Sequence, residues 1–255
     1  MPPLISCWTK LTVPKTCTID DATSEDGEKW LRASTYVDTT KTPGYMAQCF
    51  GRMTESPLTV FYITAWNSHD SLNEFEKSMD SLLQHEEHAK LSSTPLETFR
   101  YEVRCSFWMY LTKNVGFFDA YFPASISPES KKIVDGARGL VYHYAPHGPN
   151  RCAYVTRPTR GWFHGTQKYE GQDAIVVRLW HFWKNEETER DFKAGAGITA
   201  PRLGMLSLYN YLMEQLKEAG VLGIQEFHCP LVRIWDYYTE AEGGPNYESE
   251  DVLIS

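Results

Sequence analysis

The stretch Thr59-Val60-Phe61-Tyr62-Ile63-Thr64-Ala65-Trp66-Asn67-Ser68-His69-Asp70-Ser71-Leu72-Asn73-Glu74-Phe75 decides the reading of this chain. Its first eight residues are β-branched, aromatic or small, which is strand composition. A short polar cap follows, and then a polar-rich helix that carries Phe75 nine residues after Trp66. The same grammar returns 117 positions later, from Val176 to Phe192, without a gap. Over the wider window, Gly44 meets Gly161, Val60 meets Val177, Trp66 meets Trp183 and Phe75 meets Phe192. Self-similarity at a fixed offset marks a structural duplication.

Each half extends outward in the same order. In the first, Ile5–Val13 reads as a strand and Ser24-Glu25-Asp26 caps a helix running to about Tyr36. Gly44–Thr54 and Leu58–Trp66 form a hairpin, a helix from Asp70 continues with a break to Leu91, and Leu96–Cys105 closes the unit. In the second, strand Val115–Ala124 precedes a helix opened by Ser127-Pro128-Glu129. The hairpin Gly161–Glu170 and Ala174–Trp183 follows, then a helix from near Glu186, a longer helix Pro201–Ala219 and a final strand Gly223–Tyr237. The expected class is α+β, as two ferredoxin-like βαββαβ repeats over residues 1–106 and 107–238. The second carries an insertion at 140–160, and an acidic tail spans 239–255. Both central strands are apolar on both parities, so neither face of either sheet can stay bare. Two sheets packed face to face within one chain meet that demand.

Composition bounds the function. The 255 residues are 42% hydrophobic and 23% charged, which is globular rather than disordered. Net charge is −8, and Glu240, Glu242, Glu248, Glu250 and Asp251 gather in the tail. Nothing supplies the basic face that nucleic acid requires. No apolar run reaches 18 residues and the N-terminus lacks a secretory pattern, so neither a membrane span nor export is expected. Six scattered cysteines without a CxxC read as reduced thiols of a cytoplasmic protein, and no metal site is expected from them.

The Thr59 to Phe75 run resembles the central signature of the antibiotic-biosynthesis monooxygenase-like group, and Val176 to Phe192 is a second, more divergent copy. That group belongs to the dimeric α+β barrel superfamily. The resemblance therefore implies a tandem, pseudo-dimeric α+β barrel over the whole chain except the insertion and tail. It marks a fold more sharply than a reaction, because the superfamily includes cofactor-independent oxygenases of polyketide quinols, cyclases, isomerases, haem enzymes and non-catalytic members. The aldoxime dehydratases, haem enzymes built from tandem domains of this type, have their proximal ligand in the helical stretch after the Trp strand. Gly195 to Ala200 and their surroundings contain no histidine, so no cofactor is expected and haem stays an alternative only.

Asymmetry between the copies points to the chemistry. At the offset of 117, Ala47 becomes His164, Phe61 becomes Arg178 and Thr64 becomes His181. Arg178 interrupts an apolar strand, where a buried guanidinium needs a carboxylate, a carbonyl or a bound anion. It reads either as an internal ion pair or as a donor to a ligand oxygen. His181 and His164 sit on neighbouring strands and are the expected proton acceptors. His228 on the last strand is a further candidate. Tyr62, Trp66, Trp180 and Trp183 are expected to shape a cavity. His143 and His147 fall in the insertion. His85 and His88 read as a solvated helix face rather than metal ligands.

The leading expectation is a cofactor-independent enzyme of secondary, polyketide-like metabolism. It would abstract a proton from an apolar aromatic small molecule, with oxygenation, cyclisation or isomerisation as the outcome. His181 or His164 would be the base and Arg178 the oxyanion donor. A non-catalytic small-molecule-binding barrel and a haem-dependent dehydratase are the alternatives. Neither nucleic acid nor membrane is an expected partner, and the chain is a monomer or a homodimer.

Overall fold

The computed structural model describes residues 3–38, 40–103, 113–137, 155, 158–194 and 208–234. Most of the expected insertion, all of the tail, residues 195–207, and with them His143 and His147, lie outside the described residues.

The first half runs β1 (Leu4–Thr12), α1 (Glu25–Ser34), β2 (Tyr45–Arg52), β3 (Thr59–Trp66), α2 (His69–Glu76), α3 (Met79–Leu91) and β4 (Glu97–Val103). The second runs β5 (Val115–Pro123), α4 (Pro128–Gly136), β6 (Thr159–Phe163), β7 (Gln167–Tyr169), β8 (Gln172–Phe182), α5 (Glu186–Lys193), α6 (Leu208–Glu218), β9 (Gly223–His228) and β10 (Val232–Arg233). The duplicated cap has a physical basis. Ser68 accepts a hydrogen bond from the Ser71 amide at 3.1 Å, and Asn185, its counterpart, accepts from the Thr188 amide at 2.9 Å. Each satisfies a backbone donor left open at a helix start. The break expected in the long helix falls at Ser78, whose side chain caps α3.

Strand order is β2-β3-β1-β4 in the first half and β6-β8-β5-β9 in the second, the same antiparallel pattern. The two sheets do not stack as separate layers, however. β4 pairs with β6 at one junction, and β10 pairs with β2 at the other, so a single curled sheet closes through one chain. The sequence reads Gly223–Tyr237 as one strand. The chain instead leaves β5 after His228, passes through Cys229-Pro230-Leu231 and joins β2. Pro230 has no amide hydrogen to continue the first ladder, which suits a change of partner there.

Strand parity sorts the core into an inner and an outer layer. Trp8, Phe61, Ile63, Tyr101, Phe117, Trp180, Phe182 and Phe227 point inward and pack the barrel. Val60, Tyr62, Val177, Leu179 and Trp183 point outward, under the helices. Among the described residues no helix is long and apolar enough to cross a membrane.

Closure needs Gly51. A Cβ there would lie 2.1 Å from the Pro230 carbonyl oxygen and 2.7 Å from Cys229 Sγ. The first of these is backbone and cannot swing aside. Gly51→Ala should therefore cost about 3 kcal/mol of unfolding free energy, the upper end for overpacking, measured by urea titration. A loss under about 1 kcal/mol would show that the seam tolerates displacement.

Candidate active site

The site begins with a register. Gly116 on β5 pairs with His181 of β8 on one side and with His228 of β9 on the other. The three residues stand abreast on the helix-side face. Gly116 has no side chain, and the gap is filled from above. A Cβ at Gly116 would lie 2.7 Å from Trp183 Nε1 and 3.6 Å from a Glu189 carboxylate oxygen. The space between the two histidines is thus occupied by the Trp183 edge and by Glu189, delivered by α5.

His181 is fully buried. Its ring stacks against Trp183 at 5.3 Å and meets the edge of Phe118 at 4.5 Å. Burial pushes its pKa down to about 3, against the nearby Glu189 carboxylate, which pulls it up. His181 is therefore neutral throughout the physiological range. At the same place in the first half stands Thr64, whose hydroxyl accepts the Trp66 indole hydrogen at 2.9 Å.

His228 has the opposite character. Its Nε2 lies 2.9 Å from Glu189 and its Nδ1 2.5 Å from Glu55, and its backbone amide also donates to Glu55 at 2.8 Å. The bond to Glu189, helped by Glu55 and opposed by partial burial, raises its pKa to about 9. Lys193 bridges Glu189 and Glu226, both at 2.7 Å, and sits 5.0 Å above the Phe118 ring. Tyr209 from α6 donates to Glu226 at 3.1 Å. A neutral imidazole thus sits beside a charged chain, Glu55–His228–Glu189–Lys193–Glu226–Tyr209. Separating the pKa values of two neighbouring histidines is how a protein assigns acid and base roles.

Of the residues expected from sequence, the structure brings His181, Trp183 and His228 together. It separates the others. Arg178 and Trp180 have the opposite parity on β8 and point into the barrel, so the sheet itself stands between Arg178 and His181. Arg178 forms a bidentate pair with Asp119, both bonds at 2.7 Å, and lies over the Trp8 ring at 4.4 Å and the Tyr101 ring at 4.7 Å. Burial opposes its charge, but the facing Asp119 outweighs that and raises its pKa. Of the two readings open for Arg178, the internal ion pair is the one present.

His164 is not on a strand. It follows β6 on an exposed turn at the β4–β6 junction, beside His69 and Glu102. Tyr62 and Trp66 lie under the helices of the first half, in two different clusters. The Tyr62 hydroxyl donates to Gln48 and accepts from Gln84 at 3.0 Å. His88, expected on a solvated face, is instead buried between Trp30 and Tyr62, with burial pushing its pKa down to about 3. The residues missed were Glu189, Lys193, Glu226, Tyr209, Phe118 and Glu55. One signal was readable: Glu189 occupies the position of Leu72, which is buried in the first half.

No protein-family profile matches the chain, and no curated protein does. Solved structures do. A candidate monooxygenase from Lactobacillus acidophilus NCFM superposes with a TM-score of 0.52 at 10% identity, covering 91% of this chain and 94% of its own. A candidate monooxygenase from Fusobacterium nucleatum gives 0.53 at 12%, covering 90% and 93%. An anthrone oxidase-like protein gives 0.52 at 11%, covering 90% and 92%. The fold is a tandem α+β barrel, shared with these solved structures. Agreement over nine-tenths of both chains extends to the whole duplicated plan rather than to one repeat.

Proposed function

We propose that this chain is an enzyme acting without a bound cofactor on an electron-rich aromatic small molecule, with the chemistry on the helix-side face of its second sheet. The observation that carries the reading is His181, neutral and fully buried against Phe118 and Trp183, beside the charged Glu189–His228 pair. In this reading a phenolic, polyketide-type ring system displaces the Trp183 edge that fills the site, and His181 takes a proton from its activated C–H or O–H group. Glu189 favours the imidazolium that forms, as does the substrate anion itself. The anion gives one electron to O₂, the resulting radical pair combines as a hydroperoxide, and loss of water leaves a carbonyl. The balance is CH₂ + O₂ → C=O + H₂O, and the electrons come from the substrate alone. The superposed candidate monooxygenases and the anthrone oxidase-like protein accord with this outcome. Without the oxygen step, the same deprotonation leads to cyclisation or isomerisation.

The test offers the purified protein a panel of anthrones, naphthols and hydroquinones. Oxygen uptake and product mass are followed in air, and C–H deuterium exchange is followed under argon. One O₂ consumed per carbonyl formed is expected, with His181→Gln slower by about 10²–10⁴-fold, the span of a lost general base. Exchange without oxygen uptake would select the cyclase or isomerase outcome. Neither exchange nor uptake with any member, in a folded protein, would leave a binding role.

A further inference from the structure

His164 does not reach the proposed active site, and its actual neighbours assign it a different chemistry. His69, Glu102 and His164 each offer one ligand atom, and these atoms all lie within 4.8 Å of one another. We propose that these three side chains form a divalent-metal site, of the zinc class, across the seam that joins the two halves of the barrel.

Each ligand is fixed by a different element. His69 is the first residue of α2, held by the Ser68 cap. Glu102 sits within β4, paired with Ile5 on one side and Trp162 on the other. His164 follows β6, and its amide donates to the Arg100 carbonyl at 2.8 Å. Two ligands belong to the first half and one to the second. The His69 Nε2 to Glu102 Oε1 separation is 3.2 Å. That matches the edge of a tetrahedron with metal–ligand bonds of about 2.0 Å, roughly 3.3 Å. The two imidazole centroids are 5.0 Å apart, so a small swing of the exposed His164 ring completes the set. The nearby Arg100 cation is already paired with Glu76 and Asn73.

Two borderline imidazole nitrogens with one hard carboxylate suit Zn²⁺ and its neighbours rather than Mg²⁺ or Ca²⁺, which take all-oxygen sets. Three protein ligands leave a position for water. Among the described residues the seam rests on three residue pairs, Tyr101–Phe163, Glu102–Trp162 and Val103–Gly161. A metal held from both sides would fasten it. The opposite seam cannot copy the arrangement, since at the offset of 117 His69 corresponds to Glu186 and His164 to Ala47.

The experiment uses the full chain stripped with EDTA, titrated with Zn²⁺ by calorimetry and with Co²⁺ by visible absorption, alongside His164→Ala, Glu102→Gln and, as the control for metal taken up by a thiol, Cys17→Ser, which removes the one free cysteine among the described residues that is not buried. His164→Ala alters an exposed turn and Glu102→Gln preserves shape, so both report on binding rather than folding. The expected result is one saturable Zn²⁺ per chain, Co²⁺ ligand-field bands and a Zn²⁺-dependent rise in melting temperature. Affinity should fall about tenfold or more in both ligand variants and stay unchanged in Cys17→Ser. No saturable binding would overturn the proposal. So would binding that survives His164→Ala, or binding lost only in Cys17→Ser.

Discussion

Asp119→Asn should lower the unfolding free energy by about 3–5 kcal/mol, the loss expected when one partner of a buried ion pair is removed. Asp119 and Arg178 are 6% and 5% exposed and face each other directly on β5 and β8, inside the barrel. Asparagine keeps the shape of the carboxylate but not its charge, so the guanidinium would stay buried without a counter-ion. The aromatic rings of Trp8, Tyr101 and Phe227 lie within 4.4–5.0 Å of the guanidinium carbon. Cation–π contacts contribute about 0.5–2 kcal/mol each, too little to replace an anion. The double variant Asp119→Leu with Arg178→Met should recover most of the loss, because it removes both charges and leaves apolar side chains against those rings. Urea titration of the two variants decides the matter. An Asp119→Asn protein within about 1 kcal/mol of wild type would mean that water or another group already serves Arg178.

That pair also shows how far the sequence could be read. Arg178 announces itself as a cation in an apolar strand. Its partner does not, because Asp119 sits in Phe117-Phe118-Asp119-Ala120-Tyr121 and only the β5–β8 register places the two opposite each other. The duplication and its caps were legible because period and cap chemistry are local properties. Barrel closure was not, since the switch at Pro230 depends on where the edge of β2 lies in space. Face assignment failed for the same reason. Alternation groups 177, 179, 181 and 183 against 176, 178, 180 and 182, but it cannot say which group meets helices and which meets the other sheet. Alternation alone already puts Arg178 and His181 in opposite groups, so expecting both to serve one ligand passed over a signal the sequence carried. His69, Glu102 and His164 lie too far apart in sequence for any spacing rule to join them.

Three histidines should give the stability–pH profile two sloping limbs. His181 and His88 have folded pKa values near 3, well below the usual 6.5, because burial disfavours their charge. Each contributes stability that is complete above pH 6.5 and is lost as pH falls toward 3, since the unfolded chain takes up the proton first. Their combined acid penalty should reach several kcal/mol. His228 acts in the other direction. Its folded pKa of about 9, set chiefly by Glu189, means that its contribution is complete below pH 6.5 and is lost as pH rises through 9. His88→Phe isolates the acid limb. Phenylalanine fits between Trp30 and Tyr62, and it removes a buried Nε2 that has no hydrogen-bond partner among the described residues. The variant should be at least as stable as wild type at pH 7 and should unfold at a lower pH, followed by circular dichroism between pH 7 and 3. His228→Gln should flatten the slope between pH 7 and 10, and it should also weaken the part of the acid limb that Glu55 and Glu189 contribute, because His228 holds both carboxyl pKa values down. Should His88→Phe unfold at the same pH as wild type, the proton taken up during acid unfolding belongs to other groups, with the Glu55 and Glu189 carboxylates that hold His228 the first to examine.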